Sequence, residues 1–223
     1  TETQTMCNNH APIDKLVAGF QHFRRERFER KDTYYQALVR EGQHPRVLFL
    51  GCSDSRVDPA IVFGTEPGDL FIIRNVANIV PPYEINAGQH GVSAAIEYAV
   101  NVLKVEHIII NGHSQCGGIR ALCERPEDAH ISSPHLVGRW LALAKPAYDK
   151  ARADYPDADL NRLAHECEKD SVIDSIANLM TFPMVRERVE AGHLQLHGWY
   201  FDMARGQLSA WNPQSRRFEP LSC

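Results

Sequence analysis

The sequence predicts an α/β protein: a mainly parallel central sheet flanked by helices, with an N-terminal helical arm and a C-terminal edge hairpin. Three observations predict it. The short runs RVLFLG (46–51), DLFIIRN (69–75) and EHIIIN (106–111) are continuously apolar, as strands covered on both faces must be. Between the second and third lies GQHGVSAAIEYAVNVL, an amphipathic stretch with Val92, Ala95, Ile96 and Ala99 on one stripe. Strand, helix and strand in alternation imply βαβ units and therefore parallel pairing.

The elements follow in order. Residues 1–45 read as the helical arm: Ile13, Leu16, Val17, Phe20 and Phe23 recur at helical spacing, and DTYYQALVREG ends on a glycine stop. The mixed charges of RRERFER (24–30) suit a solvated helix face. Residues 46–125 hold the three apolar strands. Residues 126–190 turn helical through PHLVGRWLALAKPAYDKARADY and LNRLAHECEKDSVIDSIANLM, whose apolar stripes are expected to cover the sheet. Over 191–223, HLQLHGWYFD, MARG and QLSAWN read as a strand, a turn and a returning strand. No repeat or linker interrupts the chain, so one domain is expected across 1–223.

Composition narrows the function. With 43% hydrophobic and 23% charged residues and a net charge of -4, the chain has a globular composition. Its scattered Lys and Arg form no basic face, which argues against nucleic acid. No apolar run approaches the ~20 residues needed to span a bilayer, so no membrane partner is expected. TETQTMCNNHAP carries no visible export signal, and the six cysteines, at 7, 52, 116, 123, 167 and 223, do not form a disulfide pattern. A reducing, cytoplasmic setting is therefore expected.

Chemistry concentrates where two predicted strands end. RVLFLG runs into CSDSRV (52–57), and EHIIIN runs into GHSQCGG (112–118). Parallel sheets gather ligands at the carboxyl ends of their strands, so these loops meet if the strands are neighbours. Cys52, His113 and Cys116 then have the composition of a Cys2His zinc site with an open fourth position. Gly117 and Gly118 would permit close backbone approach. Other readings compete. H-x-x-C alone is a weak signal, and a capping histidine beside a small core cysteine would produce it too. GHSQC departs from a nucleophile elbow at its last position. Cys52 as a phosphatase-type nucleophile would set Asp54 against the incoming phosphate.

Taken together, CSDSRV, PGDLFIIRNVANIVPPYE, GVSAAIEYAV and HIIINGHSQCGGI resemble the beta-class carbonic anhydrases, over roughly the middle half of the chain and in that family's order and spacing. The resemblance implies that Cys52, His113 and Cys116 are zinc ligands and that Asp54 and Arg56 are the paired acid and base beside the metal. It further implies that Gln43, Phe71, Val76, Tyr98 and Gly117 line the substrate pocket, and that a neighbouring subunit supplies part of it, hence a homodimer or homotetramer. The match is closer to the plant-like subgroup, which has glutamine where Gln43 stands; the subgroup with a regulatory bicarbonate site has tryptophan where Phe49 stands. The implied activity is the reversible, zinc-dependent hydration of carbon dioxide to bicarbonate and a proton, with carbon disulfide or a similar small molecule as the alternative substrate. Ser53, Ser55 and Ser114 are expected to orient the loops, while Cys7, Cys123, Cys167 and Cys223 are expected to have no role.

Overall fold

The computed structural model describes residues 12–29, 33–85 and 90–221. It divides into two units, Thr1–Gln43 and His44–Cys223. In the first, helix α1 (Pro12–Arg24) passes through a π-helical turn, Arg25–Glu29, and helix α2 (Thr33–Glu41) follows. Phe23, Phe28 and Tyr35 form an edge-on aromatic cluster with centroids 5.3–6.0 Å apart. The rest of the expected stripe, Ile13, Leu16, Val17 and Phe20, is exposed. The glycine stop is realised at Gly42, whose φ of +83° suits a residue without a Cβ.

The second unit is built on six strands: β1 (Val47–Cys52), β2 (Leu70–Asn75), β3 (His107–His113), β4 (Gln195–Asp202), β5 (Gln207–Asn212) and β6 (Arg217–Pro220). Their order is β2-β1-β3-β4-β5-β6. The first four pair in parallel and the last two return antiparallel. The expected hairpin is thus a three-strand meander whose first strand extends the parallel sheet. Arg217–Pro220 escapes the sequence reading because it is short and carries one large apolar residue, Phe218.

Helix α3 (Pro59–Val62) is capped by Asp58, which accepts from the Ala60 N–H at 3.0 Å. Helix α4 (Gly91–Glu97) runs into a π-helical turn, Tyr98–Val102, and its stripe buries Ile96 and Ala99 completely. After β3 come α5 (Gly117–Glu124), α6 (Leu136–Leu141), α7 (Lys145–Asp154), α8 (Leu160–Leu179) and α9 (Pro183–Glu190). The expected long helical region is interrupted: Pro146 enters the first turn of α7, where its missing N–H costs least. Among the described residues no helix is long and apolar enough to cross a membrane.

The buried residues form two cores. Leu48, Leu50, Ile108 and Ile110 pack with Ile96, Val172 and Leu179. Cys52 and Cys116 belong to the other, with Ile119, Leu122 and Leu163. Helix α8 reaches the sheet because β3 and β4 present glycine to it. A Cβ on Gly112 would lie 2.6 Å from Val172 Cγ2, and one on Gly198 2.6 Å from Ile176 Cδ1. Gly112→Ala should therefore destabilise the protein by about 1–3 kcal/mol, the usual cost of overpacking, measured by urea denaturation.

Candidate metal centre

The sheet order places β2 and β3 on opposite sides of β1, which makes the carboxyl ends of β1 and β3 a topological switch point, where α/β sheets open a crevice. Cys52 is the last residue of β1 and His113 the last of β3; Cys116 caps α5 three residues later. Their donor atoms lie within 4.8 Å of one another, and all three residues are buried. The strand runs two residues further than the apolar pattern suggests, through Gly112 and His113.

The donor chemistry fits zinc. The sulfurs of Cys52 and Cys116 are 4.0 Å apart. Tetrahedral zinc with sulfurs at about 2.3 Å would set them about 3.8 Å apart. His113 Nδ1 is 2.9 Å from the Ser114 carbonyl, so it carries the proton, and Nε2 is left with a lone pair. That buried Nε2 has no hydrogen-bond partner, a costly orphan unless it ligates. The neighbouring Cys116 thiol, with N–H groups of Asp54 and Ala77, pulls the Cys52 thiol down to about 4 against the opposing effect of burial. The same contact, with burial, pushes Cys116 up. Ligation requires both sulfurs as thiolates, so binding of a dication would release their protons.

The first loop is held from two sides. Arg74 on β2 donates from Nε to the Cys52 carbonyl at 2.9 Å, from Nη2 to the Asp54 carbonyl at 2.6 Å and from Nη1 to Asp58 Oδ2 at 2.9 Å. Arg56 grips Asp54 bidentately, Nε to Oδ1 at 2.9 Å and Nη2 to Oδ2 at 2.7 Å, and also donates to the Gln115 carbonyl at 3.0 Å. One guanidinium thus ties the CSDSR loop to the HSQC turn. It also holds the Asp54 carboxyl well below the usual carboxylate range. With both oxygens on Arg56, Asp54 is not one of the converging donors.

The second loop turns through Gln115, a non-glycine residue at φ +58°. Ser114 behaves as expected: its Oγ accepts from the Met203 N–H at 2.9 Å. Behind the turn, Glu168 of α8 accepts from the Cys116 N–H at 2.9 Å and from the Tyr200 hydroxyl at 2.6 Å. Arg74, Glu168 and Tyr200 are invisible to motif reading, since each acts on the loops from a distant element.

The expected pocket residues separate. Val76 follows β2 directly and lies against the second loop: a Cβ on Gly118 would come 2.8 Å from Val76 Cγ1. Gly118 therefore allows the close approach expected of both glycines, whereas Gly117 faces open space at the start of α5. Phe71 and Tyr98 pair with each other, centroids 5.8 Å apart, away from the trio. Phe71 sits opposite Leu48, four residues before Cys52 on β1. At ~3.3 Å per residue that is about 13 Å. Gln43 is exposed and closes the first unit. Cys123 and Cys167 are buried free thiols, and Cys7 and Cys223 lie outside the described residues.

Fold and site define an α/β metalloenzyme with a three-donor Cys2His centre at a sheet switch point, one donor short of a closed structural zinc site. The family described as Carbonic anhydrase matches residues 47–208. Beta carbonic anhydrase 3 of Arabidopsis thaliana is 35% identical over 199 residues, covering 89% of this chain and 76% of that protein. The solved beta-carbonic anhydrase CcaA superposes with a TM-score of 0.86 at 34% identity, over 95% of this chain and 92% of its own. A tetrameric beta-carbonic anhydrase from Sordaria macrospora gives 0.67 at 32% identity, over 95% and 94%. The chain belongs to the carbonic anhydrase family, in its beta class, and is an enzyme of that family with zinc as cofactor. Purified protein should contain one zinc per chain by elemental analysis, and Cys116→Ser or His113→Ala should reduce that to well below stoichiometry.

Proposed function

We propose that this enzyme hydrates carbon dioxide reversibly to bicarbonate and a proton, with Cys52, His113 and Cys116 holding the zinc and Asp54 and Arg56 acting beside it. The observation that carries the reading is the buried trio with its orphaned His113 Nε2, next to a carboxylate clamped by arginine. When bound, zinc supplies the Lewis acidity that lowers the pKa of water from ~15.7 towards ~7.

The remaining work falls to the chain. Carbon dioxide has no charge to grip, so orientation of the nucleophile is the main task. Asp54 accepts a hydrogen bond from the attacking water at a carboxylate oxygen and aims its lone pair at the substrate carbon. Arg56 keeps Asp54 ionised and in place; a released Asp54 would be free to turn towards the metal and take the open position. Gln43 donates to a substrate oxygen, the Gly117 backbone borders the pocket, and Val76 with Phe71 and Tyr98 supplies its apolar wall. Phe71 and Tyr98 lie too far along their strand and helix to serve the trio of their own chain, which supports a role in the site of a neighbouring copy. The working protein is then a homodimer or homotetramer, a reading supported by the tetrameric relative. A single catalytic domain with residues 1–45 as its arm, in a reducing cytoplasm that keeps both sulfurs free to ligate, completes the proposal.

Stopped-flow hydration with a pH indicator tests the activity. Arg56→Ala should keep its zinc and lose activity by on the order of a hundredfold, the scale set by misplacing a catalytic group. Normal turnover in that variant removes Arg56 from the mechanism, and turnover of carbon disulfide without carbon dioxide hydration in the parent would reassign the substrate. Sedimentation equilibrium should give a dimer or tetramer; a fully active monomer would rule out the shared pocket.

A further inference from the structure

Glu168 is a buried carboxylate that the proposed reaction does not use. It is 3% exposed, on the face of α8 that packs beneath the metal loop. A carboxylate is buried at a cost unless donors surround it, and here they do. Oε1 accepts from the Cys116 N–H at 2.9 Å and Oε2 accepts from the Tyr200 hydroxyl at 2.6 Å.

The available protons set the direction of these bonds. Tyr200 has one hydroxyl proton, and it goes to Glu168, which in this pairing only accepts. His165 Nδ1, 3.0 Å from the same phenolic oxygen, must then be the protonated nitrogen that donates to it. The series therefore runs from His165 through Tyr200 to Glu168 and meets the backbone N–H of Cys116 coming the other way. Its outer end, His165, is half-exposed and lines a cavity of about 1020 Å³ shared with Arg56 and Gln115.

The turn it grips needs restraint. Between His113 and Cys116 the chain passes through left-handed Gln115, a conformation that persists only where its surroundings over-determine it. Arg56 holds the Gln115 carbonyl, and the Ser114 N–H donates to the Phe201 carbonyl at 2.9 Å. Of these contacts, Glu168 is the one made to the ligand residue itself. Cys116 is the N-cap of α5 and makes no side-chain cap of its own, so its sulfur is free to face Cys52.

We propose that Glu168 is a positioning residue for the metal centre, holding Cys116 at ligating distance from Cys52 and His113 with Tyr200 and His165 as its support. The inference rests on the zinc reading given above and adds to it a residue beyond the motif.

The test uses Co2+ as the probe, with zinc competition for affinity and the thiolate-to-cobalt charge-transfer and d–d bands for geometry. Glu168→Ala should bind metal about 10–100-fold more weakly, the range for losing a group that orients a ligand, with shifted bands. Glu168→Gln keeps an acceptor for the Cys116 N–H and should recover most of that loss. Tyr200→Phe frees one oxygen of Glu168 and should weaken binding by at least about threefold, again with shifted bands. Parental affinity and spectrum in a folded Glu168→Ala would overturn the proposal. If that variant does not fold, parental behaviour of Tyr200→Phe overturns it instead. A parent that binds no stoichiometric metal would defeat the zinc reading, whereas a normal parent with normal variants defeats only the role of Glu168.

Discussion

Parallel pairing of β1 with β3 is the constraint on which the rest depends. Parallel strands point their carboxyl ends the same way, and the register Val47 to His107 through Gly51 to Asn111 brings Cys52 level with the end of β3. Two loops roughly sixty residues apart in sequence thereby share one crevice. That pairing needs both sheet faces covered, which is why these strands carry little but Val, Leu, Ile and Phe until their last residues. It also needs α8 close by, and the glycines at 112 and 198 make the space.

On this frame the electrostatics of the site follow. A dication can be buried only among donors that answer its charge, and two thiolates do so. Arginines then organise the surroundings without entering the site. Arg74 fixes the backbone of the first loop through two carbonyls, and Arg56 spans from Asp54 to Gln115, so the position of the carboxylate and the shape of the second turn are set together. Arg56 holds both oxygens of Asp54, which keeps the carboxylate out of the converging donor set.

How much of this was legible in the sequence depends on the range of each interaction. β1 and β3 were readable because burial on both faces leaves continuous apolar runs; β2 has the same apolar run but lies at the sheet edge, with Ile73 buried and Ile72 exposed, so it is not covered on both faces as its sequence suggests. The trio was readable because its residues fall directly after such runs, and family resemblance added Asp54 and Arg56. β6 was not, since four residues with one aromatic carry no period. Arg74 reads as an ordinary strand residue until the loop it staples is seen above it, and Glu168 looks like one more polar position on a twenty-residue helix until its burial is known. The distance of Phe71 and Tyr98 from the trio was equally hidden, since a motif does not report which end of a strand or helix its residues occupy.

The most direct measurement is zinc K-edge X-ray absorption on the purified protein. The ligand set expected is two sulfurs near 2.3 Å, one imidazole nitrogen near 2.0–2.1 Å and one further light atom. A shell with fewer than two sulfurs, or with all four positions filled by sulfur and imidazole, would contradict a centre built from Cys52, His113 and Cys116 with one face left open.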